Sequence, residues 1–376
     1  MIRILHTADL HLGAPFPSLG EAEGRRQSDF LQTFERLLTL AIKKEVQLFV
    51  VAGDLFDSPR PDPELVGKVQ AGFKRLADRG ILTVLLPGTH DNTVSADSVY
   101  RRHEFPGAIL LSSPLVEAPV GIEVAGQEVY LYGFAYRSFA SDNALASMAR
   151  RKPEGIHIGL LHGSRQGSPE WEYRKKDLPF SLATLQQWGL DYVALGHYHN
   201  FETLESGGRL HGCYPGSPEG KRFGENGPRF CALVTVESGK AAVEPLPVGS
   251  RILDELTLDI SGCESLPAAA DKIRELRSSD LLLRLILTGV VEAPLDLKAL
   301  HARAAGDFFH LEFVDKTHLF DSDFARRIET EETVRGVFVR RTRQLMAEAS
   351  PERRQVIEDA FREVLIRFQS FGGGPS

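Results

Sequence analysis

The chain has 376 residues and a formal net charge of −7, with 42% hydrophobic and 25% charged residues. At roughly 150 residues per domain, this length suggests two or three domains, and the composition is typical of a globular protein. The negative charge argues against a protein that coats nucleic acid with its whole surface, although it is compatible with a local basic groove.

Cysteine usage and apolar runs indicate the compartment. The three cysteines, Cys213, Cys231 and Cys263, form no CxxC pair. Their odd number and the lack of that pair predict a reducing compartment, with neither a disulfide framework nor a thiolate zinc site. The start, "MIRILHTADLHLG", is too short and too polar for a signal peptide, and no apolar run reaches the roughly 18 residues of a membrane span. We therefore expect a cytoplasmic protein without a membrane partner.

Strand and helix patterns alternate over residues 1 to about 250. Helical spacing of apolar residues is found in "FLQTFERLLTLAIKKE" and "ELVGKVQAGFKRLADRG". The strand patterns in chain order are "IRILHTAD", "VQLFVVAGD", "ILTVLLPGTHD", "EVYLYGFAY", "GIHIGLLHG" and "LDYVALGHYH". Because these runs hardly alternate, they predict an α/β sheet that is covered on both faces. The later stretch "RFCALVTVESGKAAVEPLPV" alternates and turns at Ser238-Gly239, which predicts a hairpin.

The composition changes near "PLPVGSR". Beyond it, the strand patterns "ILDELTLDISG" and "DLLLRLILTGVV" flank the helix pattern "LPAAADKIRELRSS", which predicts a small β-α-β domain. The remainder is highly charged and helical in pattern, with Ser350 as an N-cap and Pro351 at the first helical position. We therefore expect three domains, at 1–250, 251–330 and 331–376.

Acidic and imidazole side chains follow five strand patterns of the first domain. They are Asp9 and His11 in "HTADLHLG", Asp54 and Asp57 in "AGDLFD", His90 and Asp91 in "GTHD", His162 in "LLHGS", and His197 and His199 in "LGHYH". In an open α/β sheet, sites form at the carboxyl ends of the strands. A single histidine of this kind is more often a satisfied, partly buried side chain, but the whole set indicates a shared site.

The residue types indicate a metal centre. In Asp-x-His and His-x-His, alternate side chains of an extended segment point the same way, so each pair can reach one ion. Neutral imidazoles with carboxylates suit Mn²⁺, Fe²⁺ or Zn²⁺ better than Ca²⁺ or Mg²⁺. There are too many ligands for one ion. A carboxylate such as Asp54 could bridge two ions about 3.5–4 Å apart, and such a pair binds both the attacking and the leaving oxygens of a phosphoryl transfer.

The series "DLHLG", "GDLFD", "GTHD", "LHG" and "GHYH" resembles the calcineurin-like metallophosphoesterases in order and spacing over the whole first domain. Within that superfamily, "TADLHLGAPF" and "YPGSPEG" (214–220) resemble the SbcD-type DNA-repair exonucleases. The resemblance implies a four-layer-type α/β sandwich of mixed sheets flanked by helices, a small α+β capping domain and a helical C-terminal tail. It also implies a two-metal-dependent DNA nuclease, the nuclease subunit of a double-strand-break repair complex with an SMC-like, SbcC-type ATPase.

The resemblance also implies roles for single residues. It assigns two divalent ions, with Mn²⁺ favoured: Asp9, His11 and His199 would hold the first, His162, His197 and position 89 the second, and Asp54 would bridge them. His90 would be the general acid or transition-state stabiliser near the leaving oxygen. Asp57 would orient His90 and hold its charge, unless it only caps the turn after its strand. Asp91 would shape the turn.

Position 89 departs from the family's pattern. The family has Asn there, whose amide oxygen ligates the second ion and helps to hold the phosphate, whereas this chain has Thr89. Threonine is shorter, and its hydroxyl is a weaker ligand. Three explanations stay open: Thr89 ligates directly or through a water, the second ion binds more weakly, or the change lowers turnover. We expect two ions, with the second held less tightly.

Substrate and partner surfaces are less distinctive. Arg101 and Arg102 are the favoured contacts to a DNA backbone because they follow the "GTHDN" turn; other candidates are Arg25, Arg26, His103 and the basic residues within 150–152, 174–176 and 221–229. Each is also compatible with a solvated basic surface. The tail could dock on the ATPase through "VIEDAFREVLIRF" or pack on its own body. The two amphipathic helices of the first domain are candidates for a homodimer face.

Two other functions remain open. One is a phosphodiesterase or phosphatase that acts on nucleotides or other small phosphoesters, and the extra β-α-β domain counts against it. The other is a weakly active metal-binding scaffold. Only Thr89 favours the scaffold, since all the other expected ligands are present.

Overall fold

The structure is a computed structural model, and it describes residues 1–135, 142–170, 177–263, 265–291, 294–319 and 322–371. The chain forms two compact units, Met1–Leu253 and Asp254–Ser376. Unit 1 contains all the residues proposed for the metal site. Among the described residues, no helix is both long and apolar enough to cross a membrane.

In the described part of unit 1, the strands form two six-stranded sheets. In chain order they are β1 (Ile2–Thr7), β2 (Leu48–Ala52), β3 (Leu82–Leu86), β4 (Ala108–Leu110), β5 (Val120–Val124), β6 (Gln127–Gly133), β7 (Ile156–His162), β8 (Tyr192–Gly196), β9 (Glu202–Ser206), β10 (Arg209–Tyr214), β11 (Phe230–Glu237) and β12 (Lys240–Pro247). The first sheet has the order β12-β11-β1-β2-β3-β4, and the second has the order β5-β6-β7-β8-β10-β9.

Both sheets are mixed. In the first, β1 to β4 are parallel, and β11 is antiparallel to β1 and to β12. In the second, β6, β7, β8 and β10 are parallel, and the edge strands β5 and β9 are antiparallel. The predicted hairpin is confirmed, because β11 and β12 pair up to Glu237 and Lys240. Its turn residues Ser238 and Gly239 both have positive φ, of 51° and 75°, as a type I′ turn requires.

One apolar core lies between the two sheets. It joins residues of β1 and β2, such as Ile4 and Val50, to residues of β6 to β8, such as Leu131, Ile158 and Ala194. All five are at most 1% exposed. The outer faces of the sheets are covered by helices, so the central strands are buried on both sides. This explains why their sequences hardly alternate.

The helices of unit 1 complete the sandwich. They are α1 (Glu23–Lys43), α2 (Pro63–Ala77), α3 (Val99–Arg102), α4 (Asp142–Ala146) and α5 (Leu182–Trp188). On the outer face of the first sheet, the ring of Phe73 in α2 lies 5.9 Å from Phe34 in α1 and 6.2 Å from Phe49 in β2. On the second sheet, Leu185 and Trp188 of α5 pack in the outer cluster. The predicted α/β sandwich of mixed sheets flanked by helices is therefore confirmed.

Unit 2 and the strand that leads into it continue the β-α-β pattern. The elements are β13 (Ile252–Asp259), α6 (Leu266–Arg274), β14 (Ser278–Thr288), β15 (Val290–Val291), α7 (Leu297–Ala304), β16 (Phe308–Asp315), β17 (His318–Leu319), α8 (Ser322–Glu329), α9 (Val334–Glu348) and α10 (Pro351–Phe371). One sheet has the order β13-β14-β16, and β14 and β16 are parallel, with α7 between them in sequence.

The C-terminal helices have an apolar cluster of their own. Ile328 of α8, Val339 of α9 and Leu365 of α10 belong to it, and the rings of Phe338 and Phe361 lie 5.9 Å apart. The apolar face of "VIEDAFREVLIRF" thus packs, at Phe361 and Leu365, within this helical group. Docking on an ATPase stays a prediction for the side chains left exposed.

Candidate metal centre

The proposed ligands and the proposed acid His90 lie at the carboxyl ends of parallel strands from both sheets. They are Asp9 and His11 after β1, Asp54 after β2, Thr89 and His90 after β3, His162 at the end of β7, and His197 and His199 after β8. Of these, Asp9, His11, Asp54 and His162 are at most 2% exposed. Since buried charges need partners, their mutual geometry decides what this edge of the sandwich can bind.

A first ligand set is formed by Asp9, His11 and His199. One ligand atom from each residue lies within 4.8 Å of the others. The Nε2 atoms of His11 and His199 are 3.3 Å apart, and His199 Nε2 is 3.9 Å from Asp9 Oδ1. Two imidazoles and a carboxylate are therefore close enough to bind a single ion. They are the residues that the resemblance assigns to the first ion.

A second ligand set consists of Asp9, Asp54 and His162. Asp54 Oδ2 lies 3.4 Å from His162 Nε2 and 3.9 Å from His11 Nε2, so one carboxylate oxygen faces both sets. His162 Nδ1 donates to the Ala52 carbonyl at 3.0 Å, and among the described residues its buried Nε2 has no hydrogen-bond partner. An imidazole held through one nitrogen, with the other unpartnered, is suited to bind a metal ion.

His197 and Thr89 border the second set. The His197 ring is centred 5.3 Å from that of His162, and the backbone N–H of His197 donates to Asp9 Oδ2 at 2.9 Å. We expected His197 to share the second ligand set with His162, but the three residues whose ligand atoms lie close together are Asp9, Asp54 and His162. The Thr89 hydroxyl donates to Asp54 Oδ2 at 3.1 Å, so Thr89 contacts the proposed bridge. Their roles as ligands of the second ion remain proposals.

Four proposed ligands have unusual backbone conformations. Asp9, His11, Asp54 and His197 have φ of 52°, 45°, 51° and 104°. A residue other than glycine occupies this region at a cost of about 1–3 kcal/mol, and residues in such conformations concentrate at functional sites. The chain therefore bends sharply where strands β1, β2 and β8 end, which directs these side chains into a common space.

Two glycines allow the ligands to approach each other. A Cβ atom at Gly88 would collide with the carboxylate of Asp54, and one at Gly53 would collide with the imidazole of His162. The glycine of the "PGTHD" turn is thus required by the close approach of Asp54. Asp54 could not occupy its position beside β3 if residue 88 had a side chain.

His90 and Asp57 form the proposed acid pair. His90 Nδ1 lies 3.4 Å from Asp57 Oδ1 and 3.2 Å from the Asp57 carbonyl oxygen. The hydrogen bond to Asp57 raises the pKa of His90, which favours the proton-donating form. Asp57 Oδ1 also lies 3.0 Å from His11 Nδ1 and pairs with Lys221 Nζ. Asp57 thus contacts a proposed ligand as well as His90.

The electrostatics of the buried groups are compatible with a metal ion. Burial lowers the pKa of His162, but the carboxylates of Asp54 and Asp9 outweigh it and raise that pKa to about 10. A divalent ion would replace this proton, since a metal-bound imidazole must be neutral. Burial lowers the pKa of His197 to about 3, which keeps its imidazole neutral at physiological pH. The donor set therefore fits divalent ions with mixed nitrogen and oxygen ligands.

Asp91 shapes the turn, as expected from the sequence. It is fully buried and accepts hydrogen bonds from the Gly88 N–H at 2.7 Å, the Phe56 N–H at 3.2 Å and the Tyr100 hydroxyl at 2.7 Å. Burial and the charge of Asp54 raise its pKa to about 6. Its three donors connect the ends of β2 and β3 to α3.

Glu225 is a functional residue that no motif of the sequence indicates. This carboxylate is 4% exposed, and its Oε1 lies 2.7 Å from His199 Nδ1. Burial acts to raise the pKa of Glu225, but the hydrogen bond with His199 outweighs it and lowers that pKa to about 2. An ionised carboxylate on Nδ1 leaves Nε2 to face the first ligand set. The only available signal was an acidic residue inside the basic stretch "KRFGENGPR".

A cavity of about 1000 Å³ opens at this centre. Its walls include Asp54, Thr89, His90, His197 and His199, together with Lys221 and Arg222. Arg101 and Arg102 do not line it. Both are exposed on α3, and Arg101 Nε donates to the Thr93 carbonyl at 2.9 Å.

Arg26 has a different position from the one expected. It is fully buried, pairs with Glu219 at 2.8 Å and donates to the Gly220 carbonyl at 2.7 Å. The expectation of a DNA contact is therefore wrong for Arg26, because DNA cannot reach it. The basic candidates at 174–176 lie outside the described residues.

Comparisons with known proteins agree with this geometry. The family model "Calcineurin-like phosphoesterase" matches residues 2–201. The chain is 27% identical over 310 residues to YhaO, an uncharacterised metallophosphoesterase of Bacillus subtilis, covering 78% of this chain and 74% of that protein. It is 30% identical over 218 residues to the DNA double-strand break repair protein Mre11 of Sulfurisphaera tokodaii, covering 55% and 52%. It is 28% identical over 282 residues to the SbcD component of the nuclease SbcCD of Bacillus subtilis, covering 65% and 68%.

The chain therefore belongs to the calcineurin-like phosphoesterase family. The family implies a phosphoester hydrolase that binds divalent metal ions, and the two ligand sets described above are candidate positions for them. The match to the Sulfurisphaera protein spans about half of that protein's length.

Proposed function

We propose that this chain is a two-metal-dependent DNA nuclease, the nuclease subunit of a double-strand-break repair complex that works with an SMC-like ATPase. The observation that carries the proposal is Asp54, whose Oδ2 faces both ligand sets next to the His90–Asp57 pair. The similarity to Mre11 and to the SbcD component of a nuclease supports DNA as the substrate. Arg101 and Arg102 remain proposed contacts to its backbone.

The residues around the centre have separate tasks in this proposal. Two bound divalent ions would supply an activated water and neutralise the charge of the phosphate. Asp54 holds both positions together, and Glu225 keeps Nε2 of His199 directed at the first. His90, with its pKa raised by Asp57, donates a proton to the leaving oxygen through the nitrogen that is not bonded to Asp57.

We propose Mn²⁺ as the ion. The two sets combine imidazole nitrogens with carboxylate oxygens, a mixture that suits Mn²⁺ better than the all-oxygen coordination preferred by Mg²⁺ or Ca²⁺. Thr89 offers the second position a neutral hydroxyl in place of an amide oxygen, so we propose that the second ion is held less tightly.

A phosphodiesterase acting on nucleotides is a second candidate. The cavity of about 1000 Å³ falls within the size range of small-molecule pockets, which is roughly 300–1,000 Å³. A cavity of this size could take a whole nucleotide, whereas a duplex could place only its end there.

A nuclease assay tests both candidates. Linear single- and double-stranded DNA, and bis-p-nitrophenyl phosphate, are incubated with Mn²⁺ or with chelator. We expect cleavage of DNA with Mn²⁺ and none with chelator, and a loss of about 10²–10⁴-fold in His90→Ala, the range for a general acid. His318→Ala, an exposed histidine in unit 2, is the matched control and should keep full activity.

Other outcomes would reject the nuclease. Hydrolysis of the small ester without cleavage of either DNA would favour the nucleotide phosphodiesterase. No hydrolysis of any substrate with Mn²⁺ would contradict both candidates.

A further inference from the structure

Lys221 is a cation at the wall of the cavity, and the roles proposed above for the metal ligands and the acid pair do not include it. It lies in the segment Ser217–Arg229, between β10 and β11, and its side chain is 21% exposed. Its Nζ pairs with Asp57 Oδ1 and lies 3.4 Å from His11 Nδ1. The same Asp57 oxygen lies 3.4 Å from His90 Nδ1. The ammonium is therefore close to a proposed ligand and to the proposed acid.

Buried hydrogen bonds fix the backbone on both sides of Lys221. The Gly220 carbonyl accepts from Arg26 Nη2 at 2.7 Å, and the Lys221 N–H donates to Glu225 Oε2 at 2.8 Å. Arg26 and Glu225 are at most 4% exposed. The position of the lysine is thus built into the fold, with Arg26 contributed by α1 and Glu225 by the same segment that carries Lys221.

Neighbouring charges strengthen this anchor. Glu219 pairs with Arg26 at 2.8 Å and accepts from the Thr33 hydroxyl at 2.6 Å. Arg229, which is 4% exposed, donates to the carbonyl oxygens of Ser217 and Glu225, each at 3.2 Å. A segment held by this many buried charged groups keeps its shape when a ligand enters the cavity.

A lysine at this place opposes the binding of metal ions. Because its Nζ lies 3.4 Å from His11 Nδ1, the ammonium would repel a divalent ion held by the first ligand set, and a partly buried site screens such repulsion only weakly. Asp57 offsets only part of this repulsion, because its Oδ1 also faces His11 and His90. An anion bound in the cavity would turn this net repulsion into a net attraction, since the anion attracts both the lysine and the metal ions.

We propose that Lys221 binds a non-bridging oxygen of the substrate's phosphate group. An ammonium has three donors, so Lys221 can keep its bond to Asp57 while it donates to the phosphate. This inference rests on the metal centre of the proposed function, but it does not depend on DNA being the substrate. It applies equally to any phosphoester, because the group it recognises is the phosphate.

The competing explanation is that Lys221 only holds Asp57 in place. In that case, removing the lysine would disturb Asp57 and His11, and the affinity for Mn²⁺ would fall. The phosphate affinity would then decrease only as a consequence of the lost metal. Measuring both affinities therefore separates the two roles.

The experiment uses the full chain with saturating Mn²⁺ and inorganic phosphate as the probe, in isothermal titration calorimetry. We expect Lys221→Met to weaken phosphate binding about ten- to a hundredfold, the effect of losing one charge-assisted hydrogen bond. Its Mn²⁺ affinity should be unchanged or higher. Lys221→Gln should behave like Lys221→Met, and Lys221→Arg should stay within a few-fold of the unmodified chain.

The matched control is Arg222→Met. Arg222 also lines the cavity, its side chain is 76% exposed, and it pairs with Glu225 at 3.2 Å. An equal loss in Arg222→Met, an unchanged phosphate affinity in Lys221→Met, or a loss of Mn²⁺ affinity in Lys221→Met would each overturn the inference. If phosphate binding depends on Lys221 but no DNA is cut, the proposed nuclease function fails and this inference stands.

Discussion

Glu225 determines which nitrogen of His199 faces the first ligand set. Because its carboxylate is bonded to Nδ1 at 2.7 Å, Glu225→Gln keeps the shape and removes the charge that makes the imidazole a strong ligand. We expect the Mn²⁺ affinity to fall about 10–100-fold, the usual effect of losing such a partner. Calorimetric titration with Mn²⁺ measures it.

Glu170→Gln is the matched control for that measurement. Glu170 also lines the cavity, but it accepts from the backbone N–H groups of His199 and Asn200 and not from the ring. Its substitution removes the same charge and should change the affinity less. Equal losses in the two variants would mean that only the overall charge of the cavity matters.

Thr89 stands where the resemblance described in the sequence implies an asparagine. Its hydroxyl donates to Asp54 Oδ2, whereas an asparagine would present an amide oxygen and reach further. We expect Thr89→Asn to tighten the weaker of two Mn²⁺ sites and to leave the tighter site unchanged. Anomalous scattering from crystals of both proteins at equal Mn²⁺ concentration measures the occupancies. Equal, full occupancy of both sites in both proteins would contradict the prediction.

The sequence predicted the positions of some site residues but not of others. Asp9, His11, Asp54, His162 and His199 come together as expected, because each follows an apolar strand and the carboxyl ends of parallel strands converge. Glu225 and Lys221 lie in a segment without strand or helix periodicity. Lys221 meets Asp57 across 164 positions of sequence, and no local pattern encodes such a contact.

At the scale of elements, apolar runs predicted the central strands well. The sequence pattern does not show, however, that a polar residue inside such a strand is buried. His6 in β1 is fully buried, with Nδ1 2.8 Å from the Tyr192 hydroxyl. Arg26 is a second case, since the amphipathic pattern of α1 gives no reason to bury an arginine. Its partner Glu219 is distant in sequence and close only in the fold.

The strand β1 should make the stability of unit 1 dependent on pH through His6. Burial lowers the pKa of His6 to about 3 in the folded chain, against about 6.5 in the unfolded chain. Above pH 6.5 the residue is neutral in both states, and below it only the unfolded chain binds the proton. His6 by itself should therefore lower the free energy of unfolding by about 2 kcal/mol between pH 6.5 and pH 5.

Chemical denaturation at several pH values, in the presence of chelator, measures this slope. His6→Gln should remove this contribution from the slope, and substitution of the exposed His103 by Gln should leave the slope unchanged. A His6→Gln variant with the original slope would show that His6 is not the group responsible.

At the scale of the whole molecule, the two units should respond differently to metal. All the proposed ligands lie in Met1–Leu253, and so do both tryptophans of the chain, Trp171 and Trp188. Tryptophan fluorescence therefore reports the unfolding of unit 1. Mn²⁺ at about 100 times its dissociation constant should stabilise unit 1 by about 2.7 kcal/mol and raise the midpoint of the fluorescence transition.

Differential scanning calorimetry provides the comparison, since unit 2 has apolar clusters of its own. We expect one heat-absorption peak to move with the fluorescence midpoint and another to keep its temperature in Mn²⁺ and in chelator. A fluorescence midpoint that ignores Mn²⁺ would contradict a metal centre in unit 1.

The position of Asp54 next to both ligand sets has a consequence for how the chain folds. The first sheet supplies Asp9, His11 and Asp54, whereas the second supplies His162 and His199, and His11 and His199 are 188 positions apart in the sequence. A chain in which only β1 and β2 have paired offers an ion two carboxylates and one imidazole. Closing so long a loop is slow. An ion is therefore bound tightly only after the two sheets have docked, at the end of folding. The rate at which refolding chains take up Mn²⁺ then measures the rate of that docking.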